Sequence, residues 1–220
     1  MIRHPLIQSI SQLQLEKITE ESYLIEMKKG EVLFRQNEQA KNVYFVEKGS
    51  IKILKISNKG QEKIFSVFSE NQFLSLCVLF TPPYYYPATA VTVEAAKIWS
   101  IPIELLEKGI ISNEESNRAW FKYLNKRLEK IQLMLTDEVF SDAKTRFKKF
   151  LKACAENTGI RDGEWIFIKI LLTKQEVADL LSIRRETLSR ILTEIKEEGN
   201  CEIESSKQLK LRQTWINQLE

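Results

Sequence analysis

The sequence predicts an α+β chain with an N-terminal jelly-roll-like β domain, one long helix and a C-terminal winged helix-turn-helix. Three observations carry this prediction. Between Met27 and Pro102, short β-branched and aromatic runs (EVLF, NVYFVEKGSIKILKIS, EKIFSVF, ATAVTV, AKIWSI) alternate with turn residues such as Gly30, Gly49 and Gly60, the pattern of an all-β barrel or jelly roll. From Ser112 to Leu135 there is no Gly or Pro, and apolar residues recur at spacings of three and four, which is helical periodicity. The run LTKQEVADLLSIRRETLSRIL, Leu172 to Leu192, reads as two short helices joined by a tight turn.

Taken in order, Asn58-Lys59-Gly60 marks a hairpin tip in the β domain. The elements divide the chain into residues 1–111, 112–139 and 140–220. In the long helix Phe121, Leu124, Leu128, Ile131 and Leu135 form a heptad seam flanked by Lys126, Arg127, Glu129 and Lys130. Such a stripe needs a partner, either the helix's own barrel or a second copy in a homodimer. Helical pattern resumes from Asp142 to Glu156 and closes at Thr158-Gly159, followed by a polar loop IRDGE and a short strand WIFIKI. After the paired helices, CEIESSKQLKLR with a turn at Ser205-Ser206-Lys207 supplies the wing.

Bulk properties narrow the function classes. A hydrophobic content of 43% over 220 residues suffices for packed cores. The 33 basic residues are nearly balanced by 30 acidic ones, a net charge of +3, so any nucleic-acid site must be local. No apolar stretch approaches a membrane span, and the N-terminus lacks the apolar block of a signal peptide. The expectation is a cytoplasmic protein with no membrane partner. Cys77, Cys154 and Cys201 are odd in number, far apart and without a Cys-x-x-Cys pair, which argues against a disulfide framework or structural zinc.

Thr173 followed three residues later by Glu176 is a capping box that opens the first helix of the pair. Val177, Leu180 and Leu181 form its apolar face, with the small Ala178 at the expected helix crossing. In the second helix Leu188, Ile191, Leu192 and Ile195 point inward, which leaves Arg184, Arg185, Glu186, Ser189 and Arg190 outward. Arg suits the edge of guanine and Glu accepts from cytosine in a DNA major groove. A merely solvated charged helix carries the same residues, but the capped first helix, the short turn and the following wing favour a reader of double-stranded DNA. Lys174, Thr187 and Lys196 are candidate phosphate contacts.

These motifs resemble the CRP/FNR transcription regulators. The resemblance spans about Met27 to Leu211 in one order: a Gly-punctuated β-roll containing VYFVEKGSIKI, a long dimer helix, a hinge near Phe140 to Asp142, and LTKQEVADLLSIRRETLSRIL. It implies a homodimer in which Arg185, Glu186 and Arg190 read a two-fold site with half-sites akin to TGTGA. It also implies a small-molecule or redox effector in the β-roll and a surface near Glu156 to Glu164 for RNA polymerase, the alternative for that segment being a plain connecting loop. Two departures stand out. Ser182 occupies a turn position where Gly is usual, which implies an unusual backbone there, and Arg184 replaces a small hydroxyl residue, which implies an added phosphate or base contact at the flank of the half-site.

The sensor half departs further. Where cAMP-binding members carry Gly-Glu and Arg-Ser pairs, this chain has Ser75 and Leu76, then Tyr86 and Pro87. A cyclic phosphate loses its guanidinium and the ribose its carboxylate, so cAMP is not expected. Ile131 and Gln132 stand where those members offer hydroxyls to the adenine, and Arg127 is the nearby cation for an anion. Leu74, Ser75, Leu76, Val78, Tyr84, Tyr85, Tyr86, Arg127 and Ile131 suggest a more apolar, aromatic pocket for an organic effector, while the alternative is that these aromatics only fill the barrel. No cysteine precedes Cys77, which excludes an N-terminal iron–sulfur cluster of the family type, and His4, the single histidine, is expected to be solvated rather than to ligate haem. Cys77 is expected to be buried and inert, with thiol oxidation as the alternative. A cupin-like metal enzyme needs His and carboxylate clusters that one histidine does not supply, and the remaining alternative is effector-independent DNA binding.

Overall fold

The computed structural model describes residues 4–57, 62–205 and 207–218. The hairpin tip Asn58-Lys59-Gly60 and Ser206 of the wing turn lie outside the described residues. The chain forms two compact units, 1–130 and 131–220, which divide within the long helix.

The first unit opens with two helices that no motif announces, α1 (Pro5–Gln8) and α2 (Gln12–Glu21). Eight strands follow: β1 (Tyr23–Met27), β2 (Val32–Phe34), β3 (Asn42–Lys48), β4 (Ile51–Ile56), β5 (Glu62–Phe68), β6 (Gln72–Leu74), β7 (Thr89–Thr92) and β8 (Ala96–Pro102). They pair antiparallel in two four-stranded sheets, in the orders β1-β8-β3-β6 and β2-β7-β4-β5, the eight-strand, two-sheet arrangement of a jelly roll. One core draws on both sheets, with Phe34, Ile51 and Ala90 from one and Val43, Phe73 and Ile98 from the other. Gly49 turns β3 into β4 at φ +90°, and a Cβ there would lie 2.5 Å from the Ala95 carbonyl oxygen. Only glycine fits both demands.

After α3 (Ile103–Ile110) comes α4 (Glu114–Phe140), 27 residues long. Asn113 Oδ1 accepts the Ser116 amide at 2.7 Å and caps it. Ser116 and Trp120 are fully buried, and Trp120 Nε1 donates to the Leu6 carbonyl at 3.2 Å. Tyr123 packs half-buried on the same core. The predicted seam lies on a different face: Phe121, Leu124, Leu128, Ile131 and Leu135 are all exposed, Phe121 at 63% and Leu135 at 59%. The face that packs on the roll is therefore not the heptad stripe.

The second unit continues with α5 (Ala143–Thr158), whose N-cap Asp142 accepts the Thr145 amide at 2.7 Å. That backbone bond holds the Asp142 carboxyl below its usual range. The polar loop expected after α5 is instead a hairpin, β9 (Ile160–Asp162) with β10 (Trp165–Lys169). Gly163 at φ +56° makes the turn that its Asp-Gly step permits. Then come α6 (Lys174–Leu180), α7 (Arg185–Glu197), β11 (Cys201–Ser205), β12 (Gln208–Arg212) and α8 (Gln213–Asn217), with sheet order β11-β12-β10-β9. Phe147, Leu151, Ile166, Val177, Ile191, Ile195, Leu211 and Trp215 are buried in this unit.

His4 corrects the expectation of a solvated terminal residue. Its Nδ1 accepts the Leu6 amide at 3.2 Å and caps α1, and its half-buried ring meets Phe73, Phe45 and Tyr123 edge-on at centroid distances of 5.0, 5.6 and 6.1 Å. Burial lowers its pKa from the ordinary 6.5, because the charged imidazolium loses hydration. Protonation therefore favours the unfolded chain. The stability that His4 contributes is complete above its unfolded pKa of 6.5 and declines as pH falls through that value, levelling off below the folded-state pKa. His4→Asn retains a capping acceptor without a titrating group. Its melting temperature should fall less than that of the unaltered chain between about pH 7 and about pH 5.5; parallel melting profiles over that window would remove His4 from the titration.

Candidate functional site

The helix pair is built by local signals. Thr173 Oγ1 accepts the Glu176 amide at 3.2 Å, and Glu176 Oε2 accepts the Thr173 amide at 2.8 Å, so both halves of the capping box are present. Ala178, fully buried, sits at the crossing, and its carbonyl accepts the Ile183 amide at 3.0 Å. Ser182 takes φ +53°, the left-handed turn conformation usually left to Gly, at a cost on the order of 1 kcal/mol. Arg184 is the N-cap of α7 with no side-chain cap bond.

On α7 the apolar residues Leu188, Ile191, Leu192 and Ile195 are buried. Arg184, Arg185, Glu186 and Arg190 are exposed, while Thr187 and Ser189 are half-buried beside them. The spacings 185/189 and 186/190 place four of these residues on one face, since residues four apart are neighbours on a helix. Lys196 is exposed further along α7, and Lys174 is exposed in the first turn of α6.

Two residues that the motif reading does not name set the charge of this face. Glu194 Oε1 lies 3.9 Å from Arg190 Nε, and Glu194 Oε2 lies 3.2 Å from Lys144 Nζ on α5. Lys144 also meets Glu198 at 2.9 Å, which raises the Lys144 pKa and lowers that of Glu198. The i,i+4 step from Arg190 to Glu194 is visible in the sequence. Lys144 carries no local signal, because it arrives from a different helix.

The residues expected to line an effector pocket differ in burial and bonding. Leu74, Leu76 and Val78 are buried in the roll's core. Ser75 has φ +58°, and its hydroxyl donates to the Leu74 carbonyl at 2.7 Å. Tyr86 is buried, donates to the Asn42 carbonyl at 2.7 Å, and stacks on Phe34 with ring centroids 4.0 Å apart. Tyr44 completes this aromatic group; burial, with the Tyr86 hydroxyl alongside, pushes its phenol far above the usual range. Tyr84 is half-buried with its hydroxyl on Glu107 Oε2 at 3.1 Å, and Tyr85 is 54% exposed. The Arg127 guanidinium lies over the Phe68 ring, 4.6 Å from its centroid. Ile131 is exposed. Ser75, Leu76, Tyr86 and Pro87 offer neither cation nor carboxylate, so they do not fit a cyclic phosphate and its ribose.

Cys77 corrects a second expectation, since it is exposed rather than buried. The mass of the fold around its sulfur still raises the thiol pKa, against the pull of its own backbone and of Arg127. Among the described residues there is no group of three or more His, Cys, Asp or Glu placed to hold a metal ion. No described helix is long and apolar enough to cross a membrane.

A β-roll joined to a capped, winged helix-turn-helix that exposes arginines defines a DNA-binding regulator. Residues 24–113 match the cyclic nucleotide-binding domain model, and residues 146–214 match the Crp-like helix-turn-helix domain model. The chain belongs to the CRP/FNR family of transcription regulators. It is 26% identical over 180 residues to the anaerobic regulatory protein of Bacillus subtilis, covering 82% of this chain and 76% of that one. It is 25% identical over 175 residues to the global nitrogen regulator of Synechococcus elongatus, covering 78% of each. The structure of FixK2 from Bradyrhizobium japonicum superposes with a TM-score of 0.78 at 17% identity, covering 90% of this chain and 97% of that one.

Proposed function

We propose that the chain acts in the cytoplasm as a homodimeric, sequence-specific regulator that reads a two-fold DNA site with TGTGA-like half-sites. The observation that carries this reading is the single face of α7 on which Arg185, Glu186, Ser189 and Arg190 stand clear of the buried apolar side. Arg185, Arg190 and Glu186 read base edges, with Arg184 and Ser189 beside them, and Lys174, Thr187 and Lys196 engage phosphates. Dimerisation uses the uncovered row Phe121, Leu124, Leu128, Ile131 and Leu135, because two reader helices must lie ~34 Å apart on a two-fold site. RNA polymerase meets the segment Glu156 to Glu164. The relatives' names speak of anaerobic and of nitrogen regulation, so the family does not specify the signal. An organic or redox effector in the roll is the first reading, without cAMP, haem or an iron–sulfur cluster.

A second reading, DNA binding without an effector, is favoured by one observation. The Phe34–Tyr86 stack and the Tyr86–Asn42 bond occupy the roll with side chains of the chain itself.

Arg185→Ala should lose its preference for a TGTGA palindrome over scrambled duplex, by ~1 to 3 kcal/mol for each lost bidentate contact; unchanged preference in a competition gel shift would refute the assignment. Leu128→Glu should sediment as a monomer and lose specific affinity, whereas a dimer by light scattering would move the interface elsewhere. Protein dialysed free of small molecules should gain specific affinity when a thermal-shift hit from a metabolite screen, or an oxidant, is added. Full affinity without any addition would establish the effector-independent reading instead.

A further inference from the structure

The first turn of α5 carries two cations that reach different ends of the reader. Lys144 grips Glu194 and Glu198 near the end of α7. Arg146, half-buried, turns the other way: its Nε donates to the Leu181 carbonyl at 3.0 Å, and its Nη1 donates to the Ser141 carbonyl at 2.5 Å. Leu181 is the C-cap of α6, and Ser141 follows the last residue of α4. One guanidinium thus bridges the carbonyl ends of two helices, where helix dipoles gather negative charge, through charge-assisted bonds.

The residue after Leu181 is Ser182, the left-handed turn residue at φ +53°. Its amide bonds to the Asp179 carbonyl at 3.1 Å, and the Ile183 amide bonds to the Ala178 carbonyl at 3.0 Å. The angle between α6 and α7 is set in these few residues. Arg146 holds the carbonyl just before the strained position and, with the other arm of a planar fork, the segment between α4 and α5. Lysine, a point charge with no fork, cannot reproduce that two-carbonyl grip.

We propose that Arg146 is a positioning residue for DNA reading, which ties the α4–α5 junction to the left-handed turn of the helix pair so that the presentation of α7 follows the junction. This rests on the reading of α7 as the DNA reader. Arg146 itself makes no DNA contact in this account. A shift at the junction is then felt at Leu181 and Ser182 without passing through the apolar core.

The test uses the full chain and an operator selected from random duplexes by the unaltered protein. Affinities for operator and for scrambled duplex are measured across a salt series for Arg146→Gln, Arg146→Lys, Ser182→Gly and the double variant Arg146→Gln/Ser182→Gly. Arg146→Gln should lose about tenfold in the operator-to-scrambled ratio, the scale of a charge-assisted bond, with the salt slope unchanged. Arg146→Lys should fall between it and the unaltered chain. Ser182→Gly, which removes the strain that Arg146 restrains, should restore part of the ratio in the double variant.

Four results overturn the proposal: an unchanged ratio in Arg146→Gln, equal loss on both duplexes, a double variant no better than Arg146→Gln, or a salt slope reduced by about one, the mark of a direct phosphate contact. If Arg146→Gln does not fold, Arg146→Lys alone and combined with Ser182→Gly decides by the same criteria. Failure of the unaltered protein to select any operator would instead refute the reader assignment itself.

Discussion

The molecule depends on a single helix with two incompatible apolar faces. On one side of α4, Ser116 and Trp120 are fully buried, and Trp120 Nε1 bonds to the Leu6 carbonyl. On the other, Phe121, Leu124, Leu128, Ile131 and Leu135 face solvent. The first face is satisfied within the chain and fixes the helix by its N-terminal half. The second is not satisfied, and each buried methylene is worth ~0.8 kcal/mol, so a row of this size favours association.

The reader is held by different physics. Its apolar residues are ordinary core, and its precision comes from polar bonds at the ends of the helices: the Thr173–Glu176 box, the Asp142 cap, the Lys144 pairs and the Arg146 fork. Surface pairs such as Lys144–Glu198 contribute little stability singly. Their placement matters more than their energy, because Glu194 lies between Lys144 and Arg190 and so moderates the positive charge that Arg190 presents at the surface of α7.

What could be read in the sequence was local and periodic. The capping box, the inward spacing of Leu188, Ile191, Leu192 and Ile195, the strand runs of a jelly roll and the unusual backbone at Ser182 announce themselves in neighbours a few residues away, and the structure agrees with all of them. What could not be read depends on distant approach. His4 meets Phe45, Phe73 and Tyr123 from three separate stretches of chain. Cys77 looks like a core residue between Leu76 and Val78, yet the short 3-10 turn Leu76–Val78 points it outward. The three consecutive tyrosines 84–86 share a composition but not a fate, because the segment alternates sides: one is buried on Phe34, one is tied to Glu107 and one is exposed.

The filled roll constrains any switch. A ligand that entered beside Tyr86 would break its bond to the Asn42 carbonyl and its stack on Phe34. Leaving a buried polar group unpaired costs about 1 to 3 kcal/mol, so the ligand must supply its own acceptor for that hydroxyl. It must also favour one state over the other by ~5.5 kcal/mol to move a 1:99 population to 99:1. A purely apolar molecule fails the first condition, while a molecule with an acceptor aimed at the phenol and an aromatic body to replace the stack meets it. A signal that acted on the uncovered face of α4 would avoid the first cost entirely, since the side chains there are solvent-exposed and no buried bond must break. The internal packing of the roll therefore sets a higher cost on a ligand that enters beside Tyr86 than on an event at the exposed face of α4.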